Sequence, residues 1–334
     1  MSTSAAASLA LPILDEDLAE RLRARMAEVE DELERVIQSE ARFVTDAARH
    51  LMHAGGKRFR PLLVLLAAET GDPAADGVVT AACVVELTHL ASLYHDDVMD
   101  EAELRRGAES ANHRWDNLVA ILTGDFLFSK SSELTARLGA DAVRIQAETF
   151  TRLVEGQILE TLGPGEGDPL EHYLRVVAGK TGSLIATSAR YGARFAGASL
   201  EVEDALTAYG EKIGEAFQLS DDILDVASDA EESGKTPGTD LREGVLTLPV
   251  LLAKRSTDPA DARLLELLEE DLTDDSLHAE ALRLLRAHPA MAEARSYVQE
   301  RAAEARELLT VLPDGSPVRE ALDAFAELIA VRTA

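Results

Sequence analysis

Basic residues are scarce in this chain: 33 Lys and Arg stand against 61 Asp and Glu, a net charge of −28 over 334 residues. Such a surface repels nucleic-acid phosphates and anionic lipid headgroups, which argues against a nucleic-acid partner and a polybasic membrane attachment. At most, a transient membrane contact is expected. A single cysteine, Cys83, excludes an intramolecular disulfide and suits a reducing compartment. Aromatics are few, at 4%, while the hydrophobic fraction of 46% is ordinary and suffices for one large helical domain. No apolar run approaches the roughly 20 residues needed to span a bilayer. The start, Met1-Ser-Thr-Ser-Ala-Ala-Ala-Ser-Leu-Ala-Leu, lacks the positive segment of a secretory signal. A soluble, cytoplasmic protein is the expectation.

What is abundant is helical periodicity. Residues 1–14 read as a flexible tail of small residues, and 15–334 as a single domain. From Asp15 onward Leu18, Leu22, Met26, Val29, Leu33 and Val36 step by three and four, an amphipathic helix. Gly55-Gly56 ends a second helix, and Pro61 suits the first turn of a third. A long helix runs from about Gly77 to Asp100, and further helical segments follow to about 332. The breaks are Gly163-Pro-Gly-Glu-Gly-Asp-Pro169 and a long loop over 229–244 that carries Gly234-Lys-Thr-Pro-Gly238. With no alternating strand and no low-complexity linker, the chain reads as all-α.

Two acidic clusters punctuate this pattern. Asp96-Asp97-Val-Met-Asp100 closes the long helix, and Asp221-Asp222-Ile-Leu-Asp225 closes a later apolar run. At about 100° per residue, Asp96, Asp97 and Asp100 fall within one arc of a helix face. Like charges at this spacing repel, so a cation between them is implied. Hard carboxylate oxygens suit Mg²⁺, which takes one or two carboxylates plus waters and phosphate oxygens. Two such clusters facing each other across a helical bundle suit metal ions bridging a very anionic ligand.

The rare basic residues sit beside these acids. Lys57, Arg58 and Arg60 cluster between two helices, and Arg105-Arg106 lies just beyond the first acidic cluster, which suggests a second anion site bound by side chains. His89 lies two turns before Asp96 on the same face. Lys180-Thr181 opens a helix, Gln218 precedes Asp221 by three residues, and Lys235 on the long loop is placed to fold over a phosphate. Asp125, inside the apolar run Ile121 to Phe128, reads as a buried acid in a supporting role.

In their order, these segments resemble the trans-isoprenyl diphosphate synthases of the polyprenyl synthetase family, and most of all its bacterial long-chain members. The matching stretches are Gly-Gly-Lys57-Arg-Phe-Arg60-Pro, His89-Leu-Ala-Ser-Leu-Tyr-His-Asp96-Asp97-Val-Met-Asp100, Arg105-Arg106-Gly107 and Gly124-Asp125. Gly179-Lys180-Thr181-Gly182, Phe217-Gln218-Leu-Ser-Asp221-Asp222-Ile-Leu-Asp225 and Asp240-Leu-Arg-Glu-Gly244 complete them. The resemblance implies an isoprenoid-synthase-type helical bundle around a central cavity, working as a homodimer on isopentenyl diphosphate and an allylic diphosphate. It implies Mg²⁺, three ions bound with the diphosphate, on Asp96, Asp100, Asp221 and Asp225. Lys57, Arg60, His89 and Arg106 would hold isopentenyl diphosphate, while Arg105, Lys180 and Lys235 hold the allylic diphosphate. Thr181 and Gln218 would present oxygens to the developing carbocation. Val245 departs from the pattern, since many relatives carry a basic residue there.

Other functions fit less well. A terpene cyclase needs no second diphosphate site, and non-catalytic partner subunits typically lose one aspartate cluster. Product length is read from the residues preceding Asp96. In short-chain relatives aromatic rings close the path at the fourth and fifth positions before the first Asp; here these are Ser92 and Ala91, with Thr88 a turn below. An open tunnel and a long-chain product of the kind used for quinone side chains are expected, with a geranylgeranyl or farnesyl diphosphate synthase as the alternative.

Overall fold

The computed structural model describes residues 13–228 and 237–332. Ten helices carry the first two thirds of the chain: α1 (Glu16–Val36), α2 (Arg42–His53), α3 (Phe59–Ala68), α4 (Gly77–Met99), α5 (Ala111–Arg114), α6 (Asn117–Leu138), α7 (Ala140–Leu162), α8 (Pro169–Val177), α9 (Ser183–Phe195) and α10 (Leu200–Ala227). Short helices Thr239–Arg242, Leu248–Ala253 and Ala262–Leu267 follow, then Asp275–Ala287, Ala290–Leu308 and Pro317–Val331. The sequence reading of α4 agrees with these bounds to within a residue.

Two differences have plain causes. Among the helical segments read beyond Asp100, the run over 112–138 is broken at Trp115, so that Asp116 caps α6 by accepting from the Val119 amide at 2.8 Å. Strand is also present, as a two-residue hairpin pairing Leu104–Arg105 with Ala108–Glu109. Its turn residues, Arg106 and Gly107, have φ of 55° and 75°, the left-handed conformations that a two-residue hairpin turn demands. Strands this short leave no alternation to read.

By chain contacts the molecule divides into two compact units interleaved in sequence: 1–150 with 184–207 and 310–322, and 151–183 with 208–309 and 323–334. The boundary falls inside α7, α9, α10, the short turn Leu309–Val311 and the last helix, which is why no linker signal marks it. In the first unit α4 is the core helix, buried along Val78, Ala81–Val85, Leu87, Leu90 and Ala91 and packed against α6, α3 and α1. It is also long and apolar enough to cross a membrane, with a window of mean hydropathy 1.4, contrary to the expectation that no such run exists. Two thirds of that window is buried by its neighbours, as befits a core helix.

A second correction concerns α6. Leu118, Ile121 and Leu122 point outward, and Asp125 is 61% exposed with His95 Nε2 at 3.5 Å, so this acid is not buried. An apolar stripe on a helix does not say which partner covers it.

Candidate active site

In the first unit the basic residues converge on α4. Gly55 and Gly56, at φ of 100° and 133°, turn the chain out of α2, and Arg58 sits at φ 47° as the cap of α3. From there Arg58 is spent on structure: its guanidinium bonds Glu30 at 2.7 Å, the buried Glu86 at 2.8 Å and the Met52 carbonyl at 2.7 Å. Arg106 reaches back from the hairpin turn to the carbonyls of Leu51, at 3.3 Å, and Gly55, with its other nitrogen 3.4 Å from His89 Nε2. A Cβ on Gly56 would stand 2.8 Å from the Arg106 guanidinium carbon, so a glycine is required for this approach.

Burial dominates the electrostatics here. It pushes His89 well below the ordinary histidine value, helped by Arg60 and Arg106. The neutral ring must therefore offer a lone pair to Arg106, which has only donors. Arg60 is brought down to about 10, chiefly by burial, with Glu86 opposing and Arg106 adding to the fall. Its Nε is buried with no hydrogen-bond partner among the described residues. Lys57 stands exposed beside them.

The first aspartate cluster divides its labour. Asp97, expected to share a face with Asp96 and Asp100, is fully buried and takes Arg105 Nε at 2.6 Å. Burial raises its pKa and Arg105 counters that. Arg105 also lies 3.9 Å from Asp100, so it serves the carboxylates of this cluster. Asp96 is half-buried and Asp100 exposed. Below them Ala91 is fully buried, while Ser92 is half-buried and bonds the His89 carbonyl at 2.8 Å. Thr88 is held by Ser131 at 2.9 Å and Gln146 at 2.6 Å.

The second unit assembles the other motifs. Between α8 and α9 the chain makes a π-helical turn, Ala178–Gly182, where a fresh helix start was expected. A π turn inside a helix is a frequent mark of a functional site. Gly156 and Gly179 let this turn press on α7: a Cβ on Gly156 would meet the Lys180 amide at 2.7 Å. Lys180 Nζ bonds Glu160 at 2.5 Å, and Thr181 Oγ1 donates to Gln218 Oε1 at 3.1 Å. Gln218 Nε2 in turn donates to Asp222 Oδ1 at 3.0 Å, and the Tyr173 hydroxyl donates to Asp222 Oδ2.

Asp222 is buried, and burial raises its pKa to about 7 against the pull of Tyr173 and Gln218. Asp221 is 47% exposed and pairs with Arg332 at 2.8 Å. Asp225 is engaged by backbone, accepting from the amides of Thr239 at 3.2 Å and Asp240 at 3.1 Å. Lys235 lies outside the described residues. Tyr173 was not foreseen; its only signal was its place one helix before Lys180.

A helical fold bearing two aspartate-rich helix segments, a half-buried arginine cluster and a π turn with Lys-Thr is that of an isoprenoid synthase. The chain belongs to the polyprenyl synthetase family, whose profile matches residues 41–285, and it is a transferase of prenyl groups. It is 49% identical over 329 residues to a nonaprenyl diphosphate synthase of Mycobacterium tuberculosis, covering 98% of each chain. Among solved structures it resembles a geranylgeranyl pyrophosphate synthase from Corynebacterium glutamicum, complexed with calcium and isoprenyl diphosphate. That match has a TM-score of 0.89 and 46% identity, covering 97% of this chain and 100% of the other. A decaprenyl diphosphate synthase from Rhodobacter capsulatus matches at a TM-score of 0.87 and 34% identity, covering 96% and 99%.

Proposed function

We propose that the chain condenses isopentenyl diphosphate head-to-tail onto an allylic diphosphate, with Mg²⁺, to make an all-trans long-chain polyprenyl diphosphate. The observation that carries this reading is the cluster of Arg60, His89 and Arg106. Glu30 and Glu86 are committed to Arg58, so two guanidinium groups remain beside a neutral histidine, one with a buried nitrogen unbonded. Buried cations need a counter-charge, and a diphosphate supplies it. Lys57, exposed next to them, would complete the isopentenyl diphosphate site.

The donors fit Mg²⁺ bound together with a diphosphate. Among the described residues no three or more His, Cys, Asp or Glu side chains converge to hold an ion alone. Asp96, Asp100 and Asp221 instead offer carboxylates singly or as a pair, which is what Mg²⁺ takes alongside phosphate oxygens. Asp225, with both oxygens already on backbone amides, fits an indirect role better than ligation. The chemistry such ions supply is Lewis-acid stabilisation of the diphosphate leaving group.

The remaining steps belong to the chain's own residues. Lys180, with Lys235, would receive the allylic diphosphate. Thr181 and Gln218 present oxygens to the cation left when the allylic C–O bond breaks. Held by Arg60, His89, Arg106 and Lys57, isopentenyl diphosphate attacks with its double bond, and the released diphosphate removes the proton. Small residues at Ala91 and Ser92 support an elongation path without an aromatic floor, hence a long-chain product. A shorter, geranylgeranyl-class product is the second reading, favoured by the bonded belt of Thr88, Ser131 and Gln146 one turn below.

The outward apolar stripe of Leu118, Ile121 and Leu122 supports a homodimer. Burial of α4 within its unit supports a cytoplasmic enzyme. The test is incubation of the purified chain with labelled isopentenyl diphosphate, Mg²⁺ and a series of allylic primers, followed by chain-length analysis. No incorporation with any primer would sink the reading, and products ending at the geranylgeranyl class would favour the second.

A further inference from the structure

In the second unit four side chains form one hydrogen-bonded line. The Tyr173 hydroxyl donates to Asp222 Oδ2, Gln218 Nε2 donates to Asp222 Oδ1 at 3.0 Å, and Thr181 Oγ1 donates to Gln218 Oε1 at 3.1 Å. The carboxylate sets the direction of the line. With both Asp222 oxygens accepting, one from Tyr173 and one from Gln218, the Gln218 amide turns its NH₂ toward Asp222 and its oxygen toward Thr181. That oxygen then takes the Thr181 proton, and the threonine lone pairs are left facing away from the line. Asp222 is buried and Tyr173 half-buried, so water does not scramble the arrangement.

We propose that Tyr173 and Asp222 are positioning residues that fix the polarity of Gln218 and Thr181, so that both oxygens meet the allylic cation as acceptors. This rests on the prenyl-transfer reading above. Preorganised dipoles of this kind act on the transition state because they are already oriented when charge develops. Without the Tyr173 hydroxyl, Asp222 Oδ2 loses its donor in a buried place, and the carboxylate and the amide are free to rotate. The Gln218 oxygen then spends part of its time turned away, and Thr181 presents its proton in place of its lone pairs. Neither diphosphate is assigned above to Tyr173, Asp222, Gln218 or Thr181, so substrate binding is expected to stay close to wild type when Tyr173 is changed.

The test is a double-mutant cycle on the full chain with Tyr173→Phe and Gln218→Ala, reading kcat and both Michaelis constants, with helical content and melting temperature as the check on folding. Tyr173→Phe is expected to lower kcat about tenfold, with both Michaelis constants within about twofold of wild type, the pattern of an interaction made in the transition state. In the Gln218→Ala background the same change should cost almost nothing, because there is no amide left to orient. A merely structural tyrosine would lower the melting temperature and cost as much in both backgrounds, which overturns the proposal. An unchanged kcat overturns it too. Should Tyr173→Phe fail to fold, Asp222→Asn takes its place in the cycle: it keeps the shape but can donate to Gln218, and equal losses in both backgrounds again overturn the relay. Wild-type protein that incorporates no isopentenyl diphosphate marks a failure of the functional reading, whereas active wild type with an additive cycle marks a failure of the relay alone.

Discussion

Replacing Gly56 with alanine tests the diphosphate cluster without touching a charged residue. Two costs are expected, and they can be separated. At φ 133° the backbone of residue 56 lies where side chains are rarely found, which costs about 1–3 kcal/mol of stability. The new Cβ would also lie 2.8 Å from Cζ and Nη1 of Arg106, so the guanidinium must leave its seat against the Leu51 and Gly55 carbonyls. If it thereby loses one charge-assisted hydrogen bond to substrate, about 1.5–3 kcal/mol, the Michaelis constant for isopentenyl diphosphate rises roughly 10- to 150-fold. Gly55→Ala is the control. Its φ of 100° imposes a comparable strain, but a Cβ there meets nothing within 4 Å. Initial rates with labelled isopentenyl diphosphate at saturating primer, and melting curves of both variants, give the comparison. Similar melting temperatures with a raised Michaelis constant only in Gly56→Ala support the cluster. Equal Michaelis constants in the two variants would show that Arg106 does not hold this substrate.

Asp96→Ala and Asp221→Ala should each lower turnover by at least about a hundredfold with helical circular dichroism intact, since these carboxylates serve ligands more than packing; activity within about tenfold of wild type would remove them from the metal role. Ser92→Phe and Ala91→Phe should both shorten the product, Ala91→Phe to about the farnesyl class. Because Ala91 is fully buried, the larger ring there should also cost about 1–3 kcal/mol in a melt. An unchanged chain-length distribution in two folded variants would take the growing chain off this helix face. His89 predicts a pH effect on stability. Its folded pKa lies well below the unfolded value of 6.5, so below that pH the unfolded chain binds a proton that the folded one refuses. The stability contribution is therefore full above pH 6.5 and lost as pH falls, and His89→Gln should flatten the slope of melting temperature between pH 7 and 5. A slope unchanged by His89→Gln would assign the effect elsewhere.

Sequence alone carried the helices and the chemistry-bearing motifs. Leu18 to Val36 stepped at helical spacing, α4 was bounded to a residue, and the order of the aspartate, arginine and Lys-Thr segments pointed to the family. Helical periodicity is a local property and is written in the chain. What it could not say is which face meets which neighbour. Asp96, Asp97 and Asp100 look equivalent on a helical wheel, yet packing buries Asp97 against Arg105 and leaves the other two accessible. Asp125 sits in an apolar run, and its own side of α6, with Ile121 and Leu122, turned out to face outward. Arg58 and Arg60 are two residues apart, and only their three-dimensional neighbours commit one to Glu30 and Glu86 and leave the buried Nε of the other without a protein partner among the described residues. Asp225 became a backbone acceptor because the 239–242 turn folds onto it, and Tyr173 entered the site across 49 residues of chain. Such pairings depend on long-range contacts, and spacing along a chain does not encode them.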